Sequence, residues 1–294
     1  MIYLENFKLI DEENDSHIVQ KIKNAHTKDE LFPLGFFAKK KLGRVDFDRI
    51  TIFYGGNGSG KSTLLSLVAE KLNLMRHADN TLTDGFYDYA DYCTVKMKKV
   101  LGESRLLTSE DVFKNIFETR SKNTSIAERK SKLDEEFDYS SNDFMFDGFE
   151  NSHLISKKQV KRSFVSKNVS SKERQYSNGE NALKFFKGEM QKKSLYLLDE
   201  PENSMSPKYQ IELKKFLEDL TYANDCQLVI ATHSPFILAL RDAKIYSLDD
   251  IPVSVQKWYE LQNIRLYYKF FDENKDLFEI EDWDGKMKKM KAKK

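Results

Sequence analysis

Nine consecutive residues constrain this chain more than any other stretch: Gly55-Gly56-Asn57-Gly58-Ser59-Gly60-Lys61-Ser62-Thr63. From Gly55 to Ser62 they fit the phosphate-loop pattern G-x-x-x-x-G-K-[ST], which carries meaning only between a strand and a helix. Both neighbours fit. Arg49 to Tyr54 is a short β-branched and aromatic run that stops at the glycines, as a buried strand does. From Ser62 to Leu72 the apolar residues Leu64, Leu65, Leu67, Val68 and Leu72 recur at helical spacing. Strand, glycine turn and helix together predict an α/β fold.

The chemistry follows from the residue types. Glycines at 55, 56, 58 and 60 let the loop turn with its backbone N–H groups facing a phosphate chain. The helix beginning near Lys61 adds its positive dipole end at the same place. Lys61 is suited to bridge the β- and γ-phosphates of a nucleoside triphosphate, and the Ser62 hydroxyl to take a Mg2+ position. Mg2+ needs one carboxylate besides phosphates and water. Asp199 supplies it by closing the apolar strand Leu195–Leu198. Glu200, the next residue, is placed to aim or deprotonate an attacking water. Cys226 to Thr232 reads as a second buried strand, and His233 after it falls near the γ-phosphate as a sensor or hydrogen-bonding switch.

A short motif, Tyr176-Ser177-Asn178-Gly179-Glu180, lies between the glycine loop and the Asp199 strand. By itself it is a good helix N-cap. Phosphate loop, Ser/Gly motif, Leu195-Tyr196-Leu197-Leu198-Asp199-Glu200-Pro201 and Ala231-Thr232-His233-Ser234-Pro235 occur in an order that resembles the ABC-type ATPases. The resemblance is nearest to small stand-alone bacterial ABC-type proteins called "AAA family ATPases", related to the SMC, RecF and OLD ATPases. It covers most of the chain, least at 121–170. It implies an ABC-type P-loop NTPase nucleotide-binding domain with a mostly helical insertion, Mg-ATP as the ligand, and ATP hydrolysis. The motif at 176–180 is similar to the ABC signature Leu-Ser-Gly-Gly-Gln. Through it, Ser177, Asn178, Gly179 and Glu180 would contact ATP held by a second subunit, which implies a head-to-tail homodimer formed on ATP binding. Transporter-type members carry a glutamine where this chain has Ser109-Glu110-Asp111. Either Glu110 or Asp111 takes over a metal contact, or the segment caps the helix beginning near Val112. Phe7, Phe36 and Phe37 are candidates to stack on adenine, with the core as their other destination.

The organisation predicted is a core over 1–85 and 176–250, an insertion over 86–175, and a C-terminal helix with a basic tail over 251–294. The insertion reads as helix over Val112–Leu133 after a short strand at Arg105-Leu106-Leu107, followed by acidic residues from Asp134 to Glu150. Further strands or helices are expected at Ile2–Leu9, Pro207–Leu220, Lys244–Leu248 and Val255–Phe271. A formal net charge of +1 over 294 residues leaves no whole-protein field drawing nucleic acid. A nucleic-acid contact would need a local patch, and Lys157 to Arg174 is the candidate, with a solvated helix face or a protein-docking face as the other readings. The basic tail from Lys286 to Lys294 reads as a solvated end, with a contact to nucleic acid or an acidic partner as the other reading. Mean hydropathy of −0.63, no membrane-length apolar run and two cysteines, Cys93 and Cys226, suit a soluble cytoplasmic protein. Three functions remain in play: an ATP-gated dimer driving a nucleic-acid or protein effector, the ATPase subunit of a transporter, or a slow ATP-dependent scaffold.

Overall fold

Side chains alternate across a strand, and that alternation decides how this chain layers. The computed structural model describes residues 1–10, 32–74, 83–142 and 177–278. In chain order come β1 (Leu4–Lys8), the one-turn α1 (Phe36–Lys39), β2 (Arg44–Asp46), β3 (Ile50–Tyr54), α2 (Lys61–Lys71), α3 (Asp84–Tyr92), β4 (Thr94–Met97) and β5 (Arg105–Thr108). Then follow α4 (Ser109–Asn142), α5 (Asn178–Glu189), β6 (Leu195–Asp199), α6 (Pro207–Tyr222), β7 (Gln227–Ala231), α7 (Pro235–Leu238), β8 (Lys244–Ser247), β9 (Ser254–Gln256) and α8 (Gln262–Glu273).

Among the described residues the larger sheet has the order β5-β6-β7-β3-β8-β9, all parallel except the edge strand β9. A small antiparallel sheet sets β1 between β2 and β4. Parallel strands are covered on both faces, so they read as unbroken apolar runs. Phe53, Leu195, Leu197, Val229 and Ala231 face a cluster with Leu64, Leu65 and Val68 of α2 and with Leu4 and Phe7 of β1. Their neighbours Ile52, Tyr196, Leu198 and Ile230 face the opposite cluster, with Phe186 of α5 and Leu213 and Leu217 of α6. Leu197 is fully buried in the first cluster. Leu197→Ala is therefore expected to cost about 2–5 kcal/mol of stability, read from a denaturant melt. A cost well under 1 kcal/mol would mean that this face is not packed as described.

Polar side chains tie the two sheets together, Lys244 and Tyr246 of β8 at Asp46 of β2 and, most deeply, Gln227 of β7. Gln227 is fully buried. Its Oε1 accepts from the amides of Tyr3 (2.8 Å) and Leu4 (2.7 Å), while its Nε2 donates to the carbonyls of Leu4 (2.8 Å) and Asp48 (3.0 Å). The cysteines Cys93 and Cys226 are buried free thiols, and burial pushes the Cys93 thiol up to about 12. Among the described residues no helix is long and apolar enough to cross a membrane.

Two segments differ from the sequence reading. Within residues 86–108 the strand expected at Arg105-Leu106-Leu107 is present as β5, and a strand that was not expected, β4, precedes it. β4 pairs with β1, and β5 lies beside β6 with Thr108 opposite Asp199. The reason is that Leu106 and Leu107 bury one residue on each face of the large sheet, extending it by an edge strand. The helix expected from Val255 to Phe271 starts only at Gln262. Val255 instead sits opposite Tyr246 in β9, and Trp258–Glu260 makes a single 3-10 turn. Along α8 Ile264 is buried, while Tyr267, Tyr268, Phe270 and Phe271 are at least half exposed. The basic stretch Lys157–Arg174, Tyr176, the acidic Asp143, Asp147 and Glu150, and the tail Lys286–Lys294 lie outside the described residues.

Candidate nucleotide site

Strand register brings the candidate residues to one edge of the large sheet. Ala231 at the end of β7 is opposite both Phe53 of β3 and Asp199 of β6. The glycine loop after β3, Glu200 after β6 and His233 after β7 thus leave the sheet at the same level, the carboxyl ends of parallel strands where α/β folds bind ligands.

The loop turns as its glycines allow. Gly60 takes φ 98° at the N-terminus of α2, a conformation side chains disfavour. A Cβ there would also come within 2.4 Å of Phe36 Cε1. Phe36 is thereby set against the loop and stays partly accessible, whereas Phe7 and Phe37 are fully buried core residues. Of the three aromatic candidates for adenine, Phe36 alone keeps an accessible ring. Lys61 is buried at 5% exposure, and its Nζ donates to the carbonyls of Gly55 (2.9 Å) and Gly56 (3.1 Å). Asn57, Gly58, Ser59, Ser62 and Thr63 complete the loop and the first turn of α2. The Gly56 amide donates to both oxygens of Asp249 at 3.0 Å, a carboxylate delivered from the turn after β8.

Across from the loop, the Ser62 hydroxyl donates to Asp199 Oδ1 at 3.0 Å. Burial, with the neighbouring charges of Glu200 and Glu202, outweighs that bond and Lys61 and raises the Asp199 carboxyl to about 6. A half-buried carboxylate beside a hydroxyl, its charge disfavoured by its surroundings, is an oxygen donor set that Mg2+ fits. Glu200 sits at φ 45°, a left-handed position that costs a non-glycine residue of order 1–3 kcal/mol. Its Oε1 lies 3.6 Å from His233 Nδ1, and its Oε2 accepts from Asn203 Nδ2 at 2.9 Å. Asn203 Nδ2 also reaches Ser109 Oγ at 3.3 Å, which links Glu200 to the first residue of α4.

The Ser109–Asp111 segment makes the expected helix cap. The Thr108 amide donates to Asp111 Oδ2 at 2.7 Å and the Asp111 amide donates back to Thr108 Oγ1 at 3.3 Å. This reciprocal capping box engages Asp111 Oδ2 at the start of α4, while Asp111 Oδ1 is buried without a hydrogen-bond partner and Glu110 is exposed.

The Ser177–Glu180 segment forms the start of α5. Ser177 is exposed and caps the helix by accepting from the Glu180 amide at 3.3 Å. Asn178 Oδ1 accepts from Arg120 Nη2 of α4 at 2.8 Å. Gly179 is buried where a Cβ would press on Tyr209 Cδ2 at 2.9 Å. Its neighbours are α4, α6 and the turn at Ser204–Met205, so the segment is built against the far side of the Glu200 turn.

Four residues with polar contacts here were given no role by the sequence reading: Glu202, Asn203 and Asp249 at the strand ends, and Arg120 on α4. Glu202 and Asn203 stood next to a recognised pair of acids, and a second acid spaced two residues from Glu200 was the available signal.

Comparison with known proteins agrees with this geometry. The family model described as "ABC transporter" matches residues 43–203, more than half of the chain. A second family model, an AAA domain that takes in a suggested AbiEii toxin of type IV TA systems, matches residues 185–239. No curated protein matches the chain. Among solved structures, the Smc head domain of Pyrococcus furiosus bound to the C-terminal domain of ScpA is 12% identical, with a TM-score of 0.41, covering 92% of this chain and 100% of that one. CbiO1 of Clostridium perfringens, part of the ABC transporter complex CbiONQ, is 13% identical, with a TM-score of 0.37, covering 81% of this chain and 90% of that one. With its phosphate loop, its paired acids and its histidine on one sheet edge, the chain belongs to the ABC transporter family of ATPases.

Proposed function

We propose that this ATPase binds and hydrolyses Mg-ATP at the interface of a head-to-tail homodimer, and that closure of the dimer drives a protein effector or a nucleic acid. In this reading the amides of residues 55–63 and Lys61 hold the phosphates, and Ser62 and Asp199 hold Mg2+. The metal, when bound, neutralises phosphate charge. Glu200 takes the proton of the attacking water, and His233 hydrogen-bonds on the γ-phosphate side. The core spans 1–85 and 176–250 with β5 added at its edge, and the insertion proper begins with α4. A cytoplasmic setting belongs to the same reading.

The observation that carries the dimer is the placement of Ser177. It is exposed and caps a twelve-residue helix, while the next residue, Asn178, accepts from Arg120 and the helix packs on α4 and α6. A helix N-terminus of this kind favours an anion. The first turn of α5 already holds the Glu180 carboxylate, and in this reading the exposed Ser177 end meets the ATP of a second subunit. Light scattering on Glu200→Gln is the test. The mass is expected to double with saturating ATP and Mg2+ and to return to that of a monomer without nucleotide. A monomer under saturating Mg-ATP would reduce Ser177–Glu180 to a helix cap.

A further inference from the structure

His233 has a half-exposed side chain, so packing does not hold its imidazole toward Glu200. Its backbone must do so, and that backbone is gathered by one buried atom. Glu202 is 4% exposed, and its Oε1 accepts from the Thr232 hydroxyl, the His233 amide (3.3 Å) and the Ser234 amide (3.2 Å). The Ser234 amide also donates to Thr232 Oγ1 at 3.0 Å, closing a small ring of hydrogen bonds. The other carboxylate oxygen, Oε2, is buried without a hydrogen-bond partner. A carboxylate with an orphaned oxygen is among the costliest groups to bury, and burial raises its pKa. A fold that needed only volume here would use an apolar residue.

We infer that Glu202 is the positioning residue of His233: by collecting three donors from the turn that leaves β7, its carboxylate fixes the imidazole on Glu200. Glu202 follows Glu200 by two residues on the segment leaving β6. The hydrolytic acid and the clamp on the histidine thus move as one piece. The inference rests on the proposed role of His233.

A double-mutant cycle in the full-length chain tests it, reading kcat for ATP and nucleotide Kd separately. Glu202→Leu is expected to lower kcat by about 10- to 100-fold with Kd unchanged. In a His233→Ala background it is expected to cause no further loss. Thr232→Val, which removes one of the three donors and keeps the volume, should lower kcat by a few fold, and again not in the His233→Ala background. This second cycle decides the matter if Glu202→Leu does not fold. Losses that multiply with His233→Ala, or a lowered melting temperature at unchanged kcat, would overturn the inference alone. A His233→Ala enzyme as fast as the unaltered protein would overturn the reading of His233 and the inference with it.

Discussion

Glu200→Gln is expected to leave ATP affinity intact and to slow hydrolysis by about 10²–10⁴-fold, the usual loss when a positioned base is removed. The substitution is nearly isosteric, and its surroundings predict the division between binding and turnover. Glu200 touches His233 and Asn203, and none of its hydrogen bonds involves the glycine loop. Glutamine can keep one acceptor for Asn203 but cannot take a proton from water. Phosphate release at saturating Mg-ATP and a nucleotide titration on the same sample separate the two quantities. A kcat within about threefold of the unaltered enzyme would mean that the proton goes elsewhere. The left-handed backbone at Glu200 would then need another reason.

Lys61→Ala carries the second large effect, this time on binding. The ammonium is buried and held by two loop carbonyls, so it is already desolvated before a phosphate arrives. Truncating one partner of a buried charge contact costs about 2–5 kcal/mol, and each 1.4 kcal/mol is tenfold in Kd. ATP affinity should fall by roughly 30- to 3,000-fold, measured by calorimetry. Lys61→Met, which keeps the stem in its packed position, should show the same loss. A weakening seen with alanine but not with methionine would assign the effect to a collapsed loop rather than to lost charge.

The sequence carried the site's local patterns and missed its cross-chain contacts, for a physical reason. β3, the glycine loop and α2 are contiguous, and their hydrophobic period and glycine spacing are local properties. The same holds for Leu195–Asp199 and Cys226–Thr232, whose apolar runs mark strands covered on both faces. Gln227 was invisible because its partners at Tyr3 and Leu4 lie 224 and 223 residues away. Asp249 meets Gly56 across 193 residues and Arg120 meets Asn178 across 58. No periodicity marks a polar residue whose only purpose is a distant backbone group. The α8 boundary failed differently: aromatic residues stand on both sides of it, and the pairing of Val255 with Tyr246, the 3-10 turn at Trp258–Glu260 and the extended Leu261 delay the helix to Gln262. The cap at Asp111 was legible as one of two readings of Ser109–Asp111, and its reciprocal bond with Thr108 is present.

The helix α4 runs unbroken for 34 residues from Ser109. At 1.5 Å per residue that is a rod of about 50 Å. It is rooted one residue beyond Thr108, which sits level with Asp199, and its first residue shares Asn203 with Glu200. A tilt of about 5° at the root therefore carries the far tip through about 4 Å. On the proposed reading of the site this geometry is a mechanical gain: ångström-scale adjustments around a phosphate would be magnified at a tip far outside the pocket, and a load applied to that tip would be returned, scaled down, to Glu200.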